Sequence, residues 1–318
     1  MFRADTEVCP YGGYNEYMTD HVTVEKLNLE EVGRYFDNLG YKVKKLEQPW
    51  RHVMGEVLFE NEKLFLKLAS TPGIGERTAN EAAWNKNANT VWKKYISTFK
   101  TPKMFDEGFC EGKYWFIDEF VFGKPLIELK QQKSDISEVD LITAAEIAKN
   151  ILEITDLCML AKDRGHLRAT WKNRIMDISR EWSINTKTDT SKLLRYIEEH
   201  KDDVEIGASH GDFTPWAIMK TNNNDYYLID SEAAQMGGLK FYDIAYFYHR
   251  VYTKLKRPDL AKIFLEKFKE MINWTENDEV AFRPVLASRI MGGYFDGERD
   301  RVTSMELNKE LETNLMDS

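Results

Sequence analysis

The stretch S-H-G-D-F-T-P-W-A-I-M-K, from Ser209 to Lys220, sets an aspartate in a turn directly after His-Gly, and an apolar run opens five residues later. Gly-Asp is ordinary turn chemistry. A carboxylate in that position also accepts a hydrogen bond from a substrate hydroxyl and orients it for attack. Downstream, Y-Y-L-I-D ends on Asp230, and Glu232 follows two residues later. One carboxylate at a strand end often caps a turn. Two in a cleft are oxygen ligands suited to Mg²⁺. Upstream, Lys67 lies inside L-F-L-K-L-A, and Glu81 lies in E-R-T-A-N-E-A-A-W-N-K. Each alone reads as a residue on a solvated face. Together, a strand lysine whose ammonium is fixed by a helix carboxylate is a unit that holds nucleotide phosphates.

These groups need elements to position them. Residues 1–24 read as irregular. Asn28 with Glu31 forms a capping box, Leu29, Val32, Phe36 and Leu39 share a helical face, and Gly40 is the stop. Strands follow over Tyr41–Leu46, Val53–Glu60 and Lys63–Ala69, the last two joined through Asn61-Glu62. Alternation puts Phe65, Lys67 and Ala69 on one face. S-T-P-G-I-G-E, Ser70–Glu76, reads as a loop, Arg77–Tyr95 as a helix, and Lys103–Gly108 and Tyr114–Phe122 as strands.

The remainder is mainly helical. Amphipathic patterns cover Ser137–Ala161, Thr170–Trp182, Ser191–His200, Phe241–Lys254, Asp259–Ile272 and Asp278–Met291, the last running on towards the acidic tail. Short strands fall at Trp216–Lys220 and Tyr226–Asp230. A small sheet part followed by a large helical part is an α+β arrangement, with a boundary between residues 121 and 122 inside F-V-F-G-K-P-L.

The 318 residues suffice for two lobes, and 42% hydrophobic content allows a sizeable core. The net charge of −9 argues against a basic nucleic-acid-binding face. Cys9, Cys110 and Cys158 are odd in number and far apart, so neither a disulfide framework nor a zinc site is expected. No apolar signal core or membrane-length apolar run occurs, and a cytoplasmic protein is expected.

H-G-D-F-T-P-W-A, I-D-S-E and G-G-L-K-F-Y-D-I-A-Y-F resemble, in order and spacing, the signature of the aminoglycoside phosphotransferase and choline kinase-like family. That signature is H-G-D-x-x-x-x-N, then I-D-x-E or I-D-x-D, then a glycine and Asp-Leu-Ala, whose aspartate corresponds to Asp243. Y-W-F-I-D-E-F-V-F-G-K-P-L resembles the family's hinge, and L-F-L-K-L-A-S with N-E-A-A-W its lysine–glutamate pair. The resemblance spans roughly Arg51 to Tyr252. The nucleotide-covering loop matches weakly, with Gly55 alone in Q-P-W-R-H-V-M-G-E-V.

The resemblance implies a bilobal protein-kinase-like fold: a small antiparallel-sheet N-lobe with one key helix, and a larger, mainly helical C-lobe. It implies an ATP- and Mg²⁺-dependent kinase of a small-molecule hydroxyl. Asp212 would be the catalytic aspartate, Asp230 the main Mg²⁺ ligand with Glu232 beside it, and His210 and Asp243 supports of the site. Lys67 would contact phosphates, Glu81 would orient it, and Glu119 and Val121 would meet adenine through backbone groups. About a dozen residues separate Asp230 from Asp243 with no A-P-E after them, and Gly211 stands where protein kinases have arginine. A small acceptor without a phosphorylation switch is therefore expected. Trp171, Trp182, Tyr246, Tyr248 and Tyr294 are available to stack on a ring or face a cation, although helical spacing accounts for most of them as core.

Ala217 departs from the family pattern, which has Asn there to bind Mg²⁺ and steady the catalytic aspartate. Three explanations stand. Glu232 or a water fills in; the chain is a pseudokinase or nucleotide-binding regulatory module; or the alanine is an introduced change. Asn222, Asn223 and Asn224 lie beyond the strand, too far to substitute. Losing one metal-holding group costs about 2–4 kcal/mol, roughly 10²–10³ in rate, which leaves an enzyme slow rather than dead.

Overall fold

The computed structural model describes residues 23–94, 97–128, 136–158 and 161–317. Cys9 and the side chain of Cys158 lie outside the described residues, and Cys110 is a half-buried free thiol. The chain divides into two compact units, residues 1–87 with 102–120, and residues 88–101 with 121–318.

In the first unit, helix α1 (Leu29–Asn38) precedes strands β1 (Lys42–Glu47), β2 (His52–Phe59) and β3 (Glu62–Ala69). Helix α2 (Pro72–Thr90) and strands β4 (Met104–Cys110) and β5 (Lys113–Glu119) follow. The sheet is antiparallel throughout, in the order β1-β2-β3-β5-β4. Asn28 caps α1 by accepting the N–H of Glu30 at 3.1 Å. Strand alternation sorts the core. Leu64, Leu66 and Leu68 of β3 pack with Trp115 and Ile117 of β5 and Val32 and Phe36 of α1. On the other face, Phe116 and Tyr114 pack with Ala82 of α2.

Three local expectations need correction. The β2–β3 connection is Glu60-Asn61, not Asn61-Glu62: both residues have positive φ (49° and 69°) and Phe59 pairs with Glu62. Left-handed central residues match the right-handed twist of a two-residue hairpin. S-T-P-G-I-G-E is not a loop, because α2 begins at Pro72. Proline suits a first helical turn, where its missing N–H costs nothing, and Thr71 Oγ1 accepts the N–H of Ile74 at 3.3 Å. Gly55 lies inside β2 rather than in a phosphate-covering loop. A Cβ there would come within 2.6 Å of the Lys45 carbonyl oxygen, at the irregularity between Val43 and Lys45.

The second unit holds helices α3 (Glu138–Cys158), α4 (Ala161–Asn185) and α5 (Ser191–His200). After them come α6 (Tyr242–His249), a π-helical turn (Arg250–Lys254), α7 (Pro258–Met271), α8 (Glu276–Asp300) and α9 (Met305–Asp317). Helix α3 packs on α7, and α8 packs against α4, α5, α6 and α9. Strands β6 (Gly123–Pro125), β8 (Ile218–Thr221) and β9 (Tyr226–Leu228) form one antiparallel sheet, and β7 (Ile206–Ser209) pairs with β10 (Gln235–Leu239). Segment 88–101 belongs here because Lys100 extends β9: its N–H donates to Tyr226 O at 2.8 Å, and its carbonyl accepts from Leu228 N at 2.9 Å. Asp230 does not end a strand. Strand β9 stops at Leu228, and Asp230 sits in the left-handed region with φ 65°. No described helix is long and apolar enough to cross a membrane.

Candidate active site

In the first unit, Lys67 and Glu81 meet. Nζ of Lys67 lies 2.6 Å from Oε2 of Glu81, and both side chains are buried. Alternation along β3 turns Lys67 away from the leucine face, towards α2. A buried ammonium persists only with such a partner. Beside them is a carboxyl that the sequence pattern does not single out, Asp118, 2% exposed. Burial and the neighbouring Glu81 charge push its pKa well up, against the opposing pull of Lys67. Asn85 Nδ2 donates to Asp118 Oδ2 at 3.4 Å. Glu119 closes β5. Its backbone N–H donates to Lys103 O at 2.9 Å, and its carboxylate accepts the Lys103 N–H at 3.3 Å. Val121 falls in the second unit, where its carbonyl accepts the N–H of Gly123 at 3.1 Å.

In the second unit, the His-Gly-Asp turn leaves β7 under tight constraint. Gly211 has φ 81°, and a Cβ there would lie 2.3 Å from the carbonyl oxygen of Ala233. No side chain fits, so the glycine is required by the close backbone approach. Asp243, at the start of α6, clamps the turn. Its Oδ2 accepts the N–H of His210 at 2.6 Å, and its Oδ1 accepts that of Gly211 at 2.9 Å. Burial raises the Asp243 carboxyl to about 7 against the lowering effect of these two bonds. The His210 ring is fully buried, which lowers its pKa to about 4, against the raising influence of Asp230 and the backbone of Ile229 and Asp212. It is therefore neutral at pH 7.

Asp212 emerges from this turn half-buried. Its pKa is raised to about 6, first by desolvation, then by Asp230, with a smaller push from Glu232; Arg250 and a hydrogen bond from Tyr246 oppose this. The structure thus gathers Asp212, Asp230 and Glu232. Carboxylate oxygens of Asp230 and Glu232 lie within 4.8 Å of one another. Carboxylate oxygens this close together suit a divalent cation bound through oxygen, so the donor set fits Mg²⁺. Ala217 is 2% exposed, and its carbonyl accepts the N–H of Ile229 at 3.0 Å. Position 217 is thereby tied to the residue preceding Asp230. Asn222, Asn223 and Asn224 lie in the exposed turn at the opposite end of the β8–β9 hairpin.

Behind Asp212 is a second group that motif matching does not find. Arg250 Nη2 donates to Tyr246 Oη at 3.0 Å and lies 2.7 Å from Asp296 Oδ2. Arg289 follows on α8, with its guanidinium carbon 4.2 Å from the centre of the Tyr246 ring. The signal available in the sequence was the i, i+4, i+8 spacing of Tyr242, Tyr246 and Arg250, which places them on one helix face.

No protein-family model matches the chain. No curated protein sequence matches it. Solved structures do. A thermostable aminoglycoside phosphotransferase APH(4)-Ia variant, in a ternary complex with ADP and hygromycin B, superposes with TM-score 0.57 at 15% identity, covering 90% of this chain and 98% of its own. Plasmodium vivax ethanolamine kinase gives 0.57 at 16%, covering 93% and 91%. APH(2")-IIia, in complex with GDP and kanamycin, gives 0.54 at 14%, covering 86% and 92%. A five-stranded antiparallel sheet followed by a mainly helical part is common to the expectation and the structure, and the chain has the protein-kinase-like fold of aminoglycoside phosphotransferases and ethanolamine kinase.

Proposed function

We propose that the chain is an ATP- and Mg²⁺-dependent phosphotransferase acting on a hydroxyl of a small molecule in the cytoplasm. The observation that carries this reading is the half-buried Asp212 carboxylate, held on a turn clamped by Asp243 and set beside Asp230 and Glu232. Asp212 accepts the hydrogen bond of the acceptor hydroxyl and orients its oxygen towards the γ-phosphorus. The new P–O bond forms as the bond to the β,γ-bridging oxygen breaks, ADP leaves, and the hydroxyl proton passes to Asp212 and on to solvent. Lys67, held by Glu81, contacts the nucleotide phosphates. Glu119 and Val121 meet adenine through backbone groups. Asp230 and Glu232 hold Mg²⁺, which neutralises phosphate charge. The structures of this fold with ADP and with GDP support a nucleotide donor.

The test is transfer of labelled γ-phosphate to a panel of hydroxyl compounds, with D212N as control. Transfer that D212N abolishes while ATP still binds supports the assignment; transfer unchanged in D212N removes Asp212 from it. Ala217 favours a second reading, a nucleotide-binding pseudokinase or regulatory module. Under that reading, no acceptor is phosphorylated even after A217N.

A further inference from the structure

Helices α4, α6 and α8 and the π-helical turn after α6 bring two arginines together in the second unit, with Arg250 facing Asp212. Arg250 and Arg289 are 7% and 4% exposed, yet the groups around them, Trp182, Tyr242, Tyr246 and Asp296, are half-buried. The arginines are therefore buried among groups that solvent still reaches.

Their hydrogen bonding is incomplete. Arg250 spends Nη2 on Tyr246 and Asp296, and its Nε and Nη1 are buried with no partner among the described residues. Arg289 Nε is likewise buried without one. Its Nη1 reaches Tyr242 Oη at 3.4 Å, and its Nη2 stays 3.7 Å from Asp296 Oδ2, too long for a hydrogen bond. Buried guanidinium donors left unpaired are costly, and a fold keeps them where a ligand completes them. Aromatic faces fix the Arg289 plane, with its guanidinium carbon 5.2 Å from Trp182 and 5.8 Å from Tyr242.

The charges set the ligand class. Asp296 and Asp212 both face Arg250, whereas Arg289 has Asp296 only at 3.7 Å. The Arg289 charge is the one least offset. A planar monoanion that accepts two N–H groups side by side matches it, and a carboxylate is that group. An ammonium acceptor would face the unbalanced cation.

Resting on the phosphotransferase reading, we infer that the acceptor is a hydroxy acid whose carboxylate seats on Arg289 and Arg250 while its hydroxyl reaches Asp212. Tyr246 touches both ends of this arrangement: its hydroxyl bonds to Asp212 and accepts from Arg250. Arg289 determines specificity and takes no part in the chemistry.

The test is equilibrium binding to the full chain, with no phosphate transfer required. The probes are glycerate, 3-hydroxybutyrate and 4-hydroxyphenylacetate, each beside its uncharged amide. At least one acid is expected to bind about 10–100-fold tighter than its amide, the range for charge-assisted hydrogen bonds. R289Q should erase the difference and leave ATP binding unchanged. R289K, which keeps the charge and loses the fork, should reduce it and covers the case in which R289Q fails to fold. Acid and amide binding alike, none of the acids binding at ~10 mM, or R289Q discriminating like the parent chain overturns the inference. Acids that bind but are never phosphorylated would instead sink the phosphotransferase reading and leave the carboxylate site standing.

Discussion

Asp243 holds the turn of His210 through two bonds at once: one carboxylate oxygen accepts the His210 N–H at 2.6 Å and the other the Gly211 N–H at 2.9 Å. An amide cannot copy this, because it has one acceptor and presents its NH₂ to the second N–H. D243N should lose about 2–3 kcal/mol of stability, the cost of a buried unpaired donor. Phosphate transfer should fall much further, since the turn also carries Asp212. Urea unfolding and turnover together check this. A D243N chain with normal turnover would show that the clamp does not position Asp212.

Lys67 and Glu81 form a buried pair at 2.6 Å. Removing one partner strands the other charge, so K67M and E81L alone should each cost about 3–5 kcal/mol. The double variant should cost less than either, because two apolar groups replace the pair. A double-mutant cycle reads the difference. Additive losses would mean that the ion pair is absent in solution. ATP affinity should fall in all three variants.

Asp212 titrates at about 6 in the folded chain against an ordinary 3.8. The folded state therefore keeps its proton longer than the unfolded one, and stability from this group falls as pH rises between about 4 and 6. D212N lacks the charge. Relative to the parent, its stability should be level at pH 4 and gain about 1–2 kcal/mol by pH 7, after discounting for solvent screening of a half-buried group. Denaturant titrations at several pH values check it. A difference that does not vary with pH would contradict the raised value.

Ala217 can be restored. A217N should raise the transfer rate by roughly 10²–10³ if one metal-holding group is what the site lacks. An unchanged rate, with ATP still bound, would mean that Glu232 or a water already fills the place.

What the sequence discloses follows physical range. The N-cap at Asn28, the alternation around Lys67 and the face of Val32 and Phe36 depend on neighbours within four residues, and these elements match, although Asn28 caps the Glu30 N–H and the reciprocal bond from Glu31 does not form among the described residues. The carboxylate cluster is legible because its spacing is kept by short connections: Asp212 and Asp230 lie within one run of turns and strands that leads directly into Asp243 at the start of α6. Asp118 reads as a polar residue in a strand, and only the fold shows it beside Glu81. Arg250 and Arg289 lie far apart in the chain, and their convergence on Asp296 depends on helix packing that no local pattern encodes. The start of α2 at Pro72 is hidden in the sequence because the two glycines of Thr-Pro-Gly-Ile-Gly signal a loop, whereas the Thr71 side chain caps the first turn.

The most direct measurement is calorimetric titration of ATP into the chain, with and without Mg²⁺, repeated on D230N. Tighter binding with Mg²⁺, lost in D230N, is the predicted result: it shows a nucleotide site whose metal is held by Asp230 despite Ala217. Binding indifferent to Mg²⁺, or no binding of either ATP or GTP, would contradict a metal-dependent phosphotransferase.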